Sequence, residues 1–328
     1  MRYIALEEAF FIPELADRQP MPAGGLVNLA SPWTAAAQQR YLTHLPDFIE
    51  YRLPEMDAAG IDVQVLSLTA PGMQVDIAPD LACANAVFAN NYVADVVAKN
   101  PDRFAAFAAL PLQDPRRAVR ELERAITELG FCGALVNDCI VGPGGRYLDA
   151  PEYGELWSAL ESLDVPLYLH PGTPPVDHWK VLEGRPEMYG ATWSWACEVG
   201  GHALRLIFGG VFDRHPRARL IIGHMGEFLP FQRSRLDARY ADVEPENRIK
   251  KAPSAYLGTN VVFTTSGVFS PATIMGSVME VGADAVMFSV DYPYESSFAA
   301  VAGLERTVLS ESDRHKIAHG NAERLLKI

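Results

Sequence analysis

Four ionisable side chains stand at the carboxyl ends of four separate apolar runs. Glu7 follows the run 3–6, His170 closes 166–169, His224 closes 220–223 and Asp291 closes 286–290. Two imidazoles and two carboxylates form a donor set for a hard or borderline divalent ion, with Zn²⁺, Mn²⁺ and Mg²⁺ all chemically suitable. Glu227, three residues after His224, is placed either to favour a helix start through the helix dipole or to hold the His224 imidazole in one tautomer. In an extended strand Glu7 and Ala9 share a face and Glu8 points the other way. Only one of the paired glutamates can therefore face a common site, and the reading selects Glu7.

Each residue also has a structural alternative. A histidine ending a buried strand can simply bond a backbone carbonyl. Asp291, before Tyr292-Pro293, can be a turn former or a cap. Glu7-Glu8 can be a solvated pair leaving a sheet. Coincidence at one strand end is unremarkable, but coincidence at four argues for a site. Of the other histidines, His178 lies in a loop that follows a predicted strand and is a candidate for substrate contact. His202 sits on a predicted helix, where packing or capping explains it. No dinucleotide fingerprint, phosphate loop or nucleophile elbow is present.

Such a site needs strands that converge. Eight short runs rich in apolar and β-branched residues are predicted as strands: 3–6, 63–68, 104–110, 133–137, 166–170, 220–224, 261–265 and 286–291. Several are continuously apolar, as parallel strands buried on both faces are. Helical segments are predicted between them at 84–97, 116–129, 151–163, 197–212, 271–281, 298–309 and 312–326. Pro115 stands at a first helical position, and Gly130 follows as a stop. Eight strands alternating with helices predict an α/β fold, a (β/α)₈ barrel formed by residues 1–328 as one domain. The segments 11–45 and 171–189 carry little periodicity and directly follow strands, so both are expected as inserted active-site loops.

Composition narrows the class. Of 328 residues, 49% are hydrophobic and 21% charged, which supports a large core and argues against disorder. A net charge of −13 argues against nucleic acid as a partner. The four cysteines, Cys83, Cys132, Cys139 and Cys197, form no CxxC pair and fit a reducing compartment. No signal-peptide pattern or membrane-length apolar run is found, so a cytoplasmic protein without membrane association is expected.

The segments 5–10 (ALEEAF), 101–115, 130–137, 163–171, 202–216, 221–227 (IIGHMGE), 264–267, 281–284, 288–295 (FSVDYPYE) and 321–327 together resemble the aromatic-acid decarboxylases of the amidohydrolase superfamily. Members include γ-resorcylate (2,6-dihydroxybenzoate), 2,3-dihydroxybenzoate and 5-carboxyvanillate decarboxylases. The resemblance implies one divalent ion, Mn²⁺ or Zn²⁺ before Mg²⁺, with Glu7, His170 and Asp291 as ligands. It places His224 beside the metal and substrate, Arg235 at the substrate carboxylate or a ring substituent, and Asn137 near the ring. It implies no organic cofactor, a role in aromatic catabolism, and a homodimer or homotetramer. Most hydrolytic members carry His-x-His where this chain has Glu7-Glu8-Ala9. Some γ-resorcylate enzymes keep a histidine where Ala9 stands, so the arrangement is closer to the 2,3-dihydroxybenzoate and 5-carboxyvanillate types.

The chemistry so implied is non-oxidative, reversible decarboxylation of an ortho-hydroxybenzoate. Asp291 would give the proton to the ring, while His224 and Glu227 would steady the phenolate. The alternatives at this point are a metal-dependent amide or lactone hydrolase, another lyase such as a hydratase or a decarboxylase of a non-aromatic semialdehyde, and a non-catalytic barrel.

Overall fold

A computed structural model describes residues 1–19, 34–138, 146–172 and 179–328. Its strands are β1 (Ile4–Phe10), β2 (Val63–Leu68), β3 (Phe104–Ala106), β4 (Ala108–Ala109), β5 (Ala134–Asn137), β6 (Leu167–His170), β7 (Leu220–Ile222), β8 (Val261–Thr264) and β9 (Val286–Met287). Every pairing is parallel, in the orders β1-β2-β3 and β4 through β9. The two sheets are one. At Phe107 the chain changes partner, with its amide still on Leu66 O at 3.0 Å and the next amide, of Ala108, on Gly133 O at 2.9 Å. Thus β3 and β4 are halves of the third stave. A parallel bridge between Leu6 and Ser289 joins first stave to last, and eight staves close into the predicted (β/α)₈ barrel.

Period-two alternation sorts the side chains. Ile4, Leu6, Val65, Leu135, Tyr168 and Met287 belong to a cluster that fills the barrel. Their neighbours Ala5, Leu66, Val136, Leu169, Ile222 and Phe288 belong to the larger core under the helices. That larger core explains the continuously apolar strands, because both faces are dry.

Helix boundaries follow local signals. Asp114 caps the helix Pro115–Thr127 by accepting the Arg117 amide at 3.0 Å, and Pro115 loses nothing at the first position. The segment expected as one helix over 197–212 is two. Ser194–Phe208 stops at Gly209, and Val211–Arg214 starts after Gly210, whose left-handed φ of 68° ends the first helix. The segment 312–326 keeps its expected course but contains a π turn, Lys316–Gly320. There Ile317 O accepts the Phe288 amide at 2.8 Å, so the turn fastens the helix to the last stave.

Among the described residues three α-helices of eight residues or more lie outside the sequence expectation, besides the single turn Pro13–Ala16. Ala35–His44 falls in the predicted loop 11–45 and is capped by Thr34. Arg52–Ala59 is opened by Asp47, whose carboxylate accepts the amides of Glu50, Tyr51 and Arg52 at 2.8–3.1 Å. Arg233–Tyr240 follows the seventh-strand region. Among the described residues no helix is long and apolar enough to cross a membrane.

Trp157 shows how the outer layer is held. It is 1% exposed, donates Nε1–H to Leu148 O at 2.9 Å and meets Phe212 edge-on at 5.9 Å. Trp157→Ala removes a large buried ring far from the site. Denaturant unfolding is expected to show a loss of about 3–5 kcal/mol, with turnover per folded molecule unchanged.

Candidate active site

The site lies where staves one, five, six and eight end. On β1 the ladder to β2 slips between Ala5 and Glu8, where three steps on β1 match two on β2. This is a β-bulge, and Glu7 sits in it with a left-handed φ of 64°. The bulge corrects the alternation argument. Ile4 and Leu6 face the barrel interior, so strict alternation would send Glu8 inward and Glu7 out. With the bulge, Leu6 and Glu7 both face in and Glu8 turns away. The selected residue stands, but its cause is the slip in register.

His170 ends β6, two residues after the inward-facing Tyr168, so alternation places it correctly. His224 and Asp291 lie beyond the paired parts of β7 and β9, at φ 49° and 78°. Among the described residues nine non-glycine positions have positive φ, and Glu7, His224, Met225, Glu227, Phe228 and Asp291 are six of them. Each costs roughly 1–2 kcal/mol, so backbone strain is concentrated here and the surrounding packing must hold it.

Glu7 is the centre of the arrangement. Its Oε2 accepts from the Tyr168 hydroxyl and from Ser266 Oγ at 2.5 Å. Thr264 Oγ1 lies 2.7 Å from the Tyr168 hydroxyl, and Ser266 Oγ accepts the His224 amide at 2.9 Å. Glu7 Oε1 is buried and has no hydrogen-bond partner among the described residues. His170 Nε2 lies 3.3 Å from it and His224 Nε2 3.4 Å, while His224 Nε2 is 3.6 Å from Asp291 Oδ2. Donor atoms of Glu7, His224 and Asp291 all fall within 4.8 Å of one another.

The far sides of both rings are spoken for by acceptors. His170 Nδ1 faces Asn137 Oδ1 and Pro171 O, each at 2.8 Å, and His224 Nδ1 faces Glu227 Oε1 at 2.7 Å. Each Nδ1 therefore carries a proton, and each ring turns its Nε2 toward the Glu7 oxygen. This is the pattern in which histidines bind metals.

The electrostatics ask for a cation. Burial pulls the His170 pKa down, keeping the imidazole neutral. Burial pulls on His224 as well, but the charges of Glu7 and Glu227 outweigh it and raise its pKa well above the ordinary value. Burial, reinforced by the charge of Glu7 and opposed by the hydrogen bond from His224, pushes Asp291 up to about 7. A cavity of about 180 Å³ opens onto His224 and Asp291, with Trp195, Phe228, Phe231 and Val268 beside them and Glu227 and Glu295 in its walls. No Lys or Arg is among its described lining residues. An anion entering it meets carboxylates, and a bound divalent ion would reverse that balance. The orphaned Glu7 oxygen, the two aimed imidazoles and the excess of acid all fit such an ion.

The remaining expected residues fall differently. The Asn137 side chain is spent on His170 and, through Nδ2, on Leu68 O at 3.4 Å. Arg235 is exposed on the helix Arg233–Tyr240 and does not line the cavity. His178 lies outside the described residues. His202 is the packing residue expected, bonded to Asp138 at 2.8 Å and to the Leu148 amide at 3.0 Å. Tyr168, Thr264 and Ser266 were not foreseen. Tyr168 had a signal, since it shares the face of His170, but hydroxyls on separate strands announce no joint purpose.

Gly223 tests the centre. A Cβ there would overlap Glu7 Oε2 and lie 2.9 Å from Ser266 Oγ. Gly223→Ala is expected to keep the circular dichroism of the parent while weakening Mn²⁺ binding, measured by calorimetric titration, by about tenfold or more.

Residues 34–328 match the family model described as amidohydrolase. The chain is 42% identical to the γ-resorcylate decarboxylase of Rhizobium sp. (strain MTP-10005), over 99% of this chain and 98% of the relative. Its fold is similar to that of a 2,6-dihydroxybenzoate decarboxylase crystallised with 2,6-dihydroxybenzoate, at a TM-score of 0.92 and 41% identity, with both chains fully covered. It is also similar to the 5-carboxyvanillate decarboxylase of Novosphingobium aromaticivorans, complexed with manganese and 4-hydroxy-3-methoxy-5-nitrobenzoic acid. There the TM-score is 0.90 at 35% identity, over 99% of this chain and 96% of the other. Overall identity thus ranks the 2,6-dihydroxybenzoate enzymes above the 5-carboxyvanillate enzyme, the reverse of the order that Ala9 suggests.

Proposed function

The chain belongs to the amidohydrolase family and is a carboxy-lyase, and from that premise we propose that it decarboxylates an ortho-hydroxybenzoate-type acid without oxidation, using a divalent ion held by Glu7, His170 and Asp291. The observation that carries this reading is the buried Glu7 Oε1, which has no hydrogen-bond partner among the described residues and on which the two Nε2 atoms converge, beside an acid-rich, aromatic-walled cavity lined by His224 and Asp291. The manganese of the 5-carboxyvanillate enzyme and the dihydroxybenzoate of the 2,6-dihydroxybenzoate enzyme support it, and favour Mn²⁺. These relatives are decarboxylases, which sets the hydrolytic alternative aside.

When bound, the ion supplies Lewis acidity and an anchor for adjacent phenolate and carboxylate oxygens. The chain does the rest. Trp195, Phe228, Phe231 and Val268 offer the apolar surface that a ring needs. Glu227 holds the Nδ1–H of His224, and its charge helps keep the ring an imidazolium, whose Nε2–H can donate to the substrate oxygens. Burial and the charge of Glu7 favour the protonated form of Asp291; the ion opposes it, and the anionic substrate in a dry site favours it again. Asp291 then gives its proton to the ring carbon that bears the carboxylate, and the new C–H bond takes a ring electron pair. The bond to the carboxylate breaks next. Its pair returns to the ring, carbon dioxide leaves, and Asp291 recovers a proton from solvent.

Incubation with 2,6-dihydroxybenzoate, 2,3-dihydroxybenzoate and 5-carboxyvanillate should release carbon dioxide and the matching phenol from at least one. Asp291→Asn should lower kcat by about 10²–10⁴-fold while the acid still binds. Wild-type turnover by that variant would remove Asp291 as the donor. Exhaustive chelation should abolish activity and Mn²⁺ restore it; a fully active metal-free sample would falsify the metal reading.

A further inference from the structure

Glu8, the glutamate the bulge turns away from the site, lies fully buried at the seam between the first and last staves. The seam has few main-chain bonds. The Leu6 amide reaches Phe288 O at 3.4 Å and the Ala9 amide reaches Tyr292 O at 2.8 Å. Between them lie the bulge on one side and, on the other, Asp291 with its left-handed backbone. Neither segment is extended there, so neither can continue the ladder.

The Glu8 carboxylate takes the place of the missing ladder. Its Oε1 accepts the Val290 amide at 3.0 Å and the Ser289 hydroxyl at 3.3 Å, and its Oε2 accepts the Tyr292 amide at 3.3 Å. Val290 and Tyr292 bracket Asp291. One rigid planar group therefore holds the amide of the residue on each side of Asp291, and the same stretch of backbone carries Glu7. Burial pushes the Glu8 pKa up to about 8, against the Val290 amide and the charge of Arg52 behind it, while three donors facing its two oxygens suit the carboxylate form. The Arg52 guanidinium is buried, donates to Ala9 O at 2.5 Å and to Gln64 Oε1 at 3.0 Å, and lies 4.4 Å over the Tyr292 ring. The Arg52 backbone is tied in turn to Asp47.

We propose that Glu8 is a positioning residue, which by bonding the amides on both sides of Asp291 sets the spacing of the two site carboxylates, Glu7 and Asp291. This rests on the reading that Glu7 and Asp291 hold the ion and carry the reaction. An ordinary ladder would close the seam equally well, but it would require Asp291 to be extended and would aim its carboxyl elsewhere. A side-chain acceptor closes the barrel and leaves Asp291 in its turned conformation.

Glu8→Gln is nearly isosteric, but one of its two acceptors becomes a donor facing amide donors. Calorimetric titration of the full-length, metal-free protein with Mn²⁺ should show affinity weakened by about 10–100-fold. At saturating Mn²⁺, kcat should fall by about tenfold or more while KM stays within about threefold. Glu8→Asp keeps the charge but reaches only one amide, and it should fall between the parent and Glu8→Gln in both readouts. A lower Tm with parental Mn²⁺ affinity and kcat would mean that Glu8 only stabilises the barrel, and would overturn the proposal. Should Glu8→Gln fail to fold, Glu8→Asp decides by the same readouts, and parental values there overturn the proposal. The Mn²⁺ titration needs no substrate, so it judges Glu8 even if the parent decarboxylates none of the acids tried. If the parent turns over and Glu8→Gln matches it, Glu8 alone is misassigned.

Discussion

A parallel barrel closes only if its first and last staves are joined, and here that join coincides with the place where two carboxylates must turn into the mouth. The slip in register at Glu7 and the turned backbone at Asp291 both remove ladder bonds from one seam. Main-chain amides left in a dry interior are expensive unless something accepts from them. A buried glutamate accepts two of them, a buried arginine stands behind it, and a π turn in the C-terminal helix takes a third, that of Phe288. The strain of the site and the closure of the barrel are thus one problem with one solution.

The charge balance follows from the same geometry. Turning Glu7 inward brings an acid to the barrel axis, where Glu227, Asp291 and Glu295 already gather. Two hydroxyls, of Tyr168 and Ser266, satisfy one Glu7 oxygen, and among the described residues none hydrogen-bonds the other. Burial without compensation pushes protons onto such groups, as the upward shift of Asp291 shows. A divalent cation relieves the excess and gives the entering carboxylate a partner that the cavity wall lacks. Asn137, Pro171 and Glu227 already engage the Nδ1 side of both rings, which leaves Nε2 on the side of the ion.

The fold was legible wherever the signal was local. All eight strand runs are staves, because a strand buried on both faces reads as a short apolar run whatever its partners. The helix Pro271–Val281 has its predicted bounds, with proline at its start. Arg233–Tyr240 was invisible because none of its residues is buried and so it carries no apolar stripe. Arg52–Ala59 was hidden for a related reason. It buries only Arg52 and Met56 and depends on a cap from Asp47 that lies outside it.

The site divides in the same way. The sequence by itself determined which donor types arrive at the strand ends and that His170 faces the axis, since those depend on neighbours within a strand. Family resemblance added the expected ligand set. Only the tertiary structure decided which of the paired glutamates turns inward. Period-two alternation from Ile4 and Leu6 favours Glu8, and the bulge overrules it in favour of Glu7. That bulge is held by bonds to residues as far as 284 positions away, at Tyr292. No local pattern encodes such a contact, because it exists only once the last stave has closed against the first.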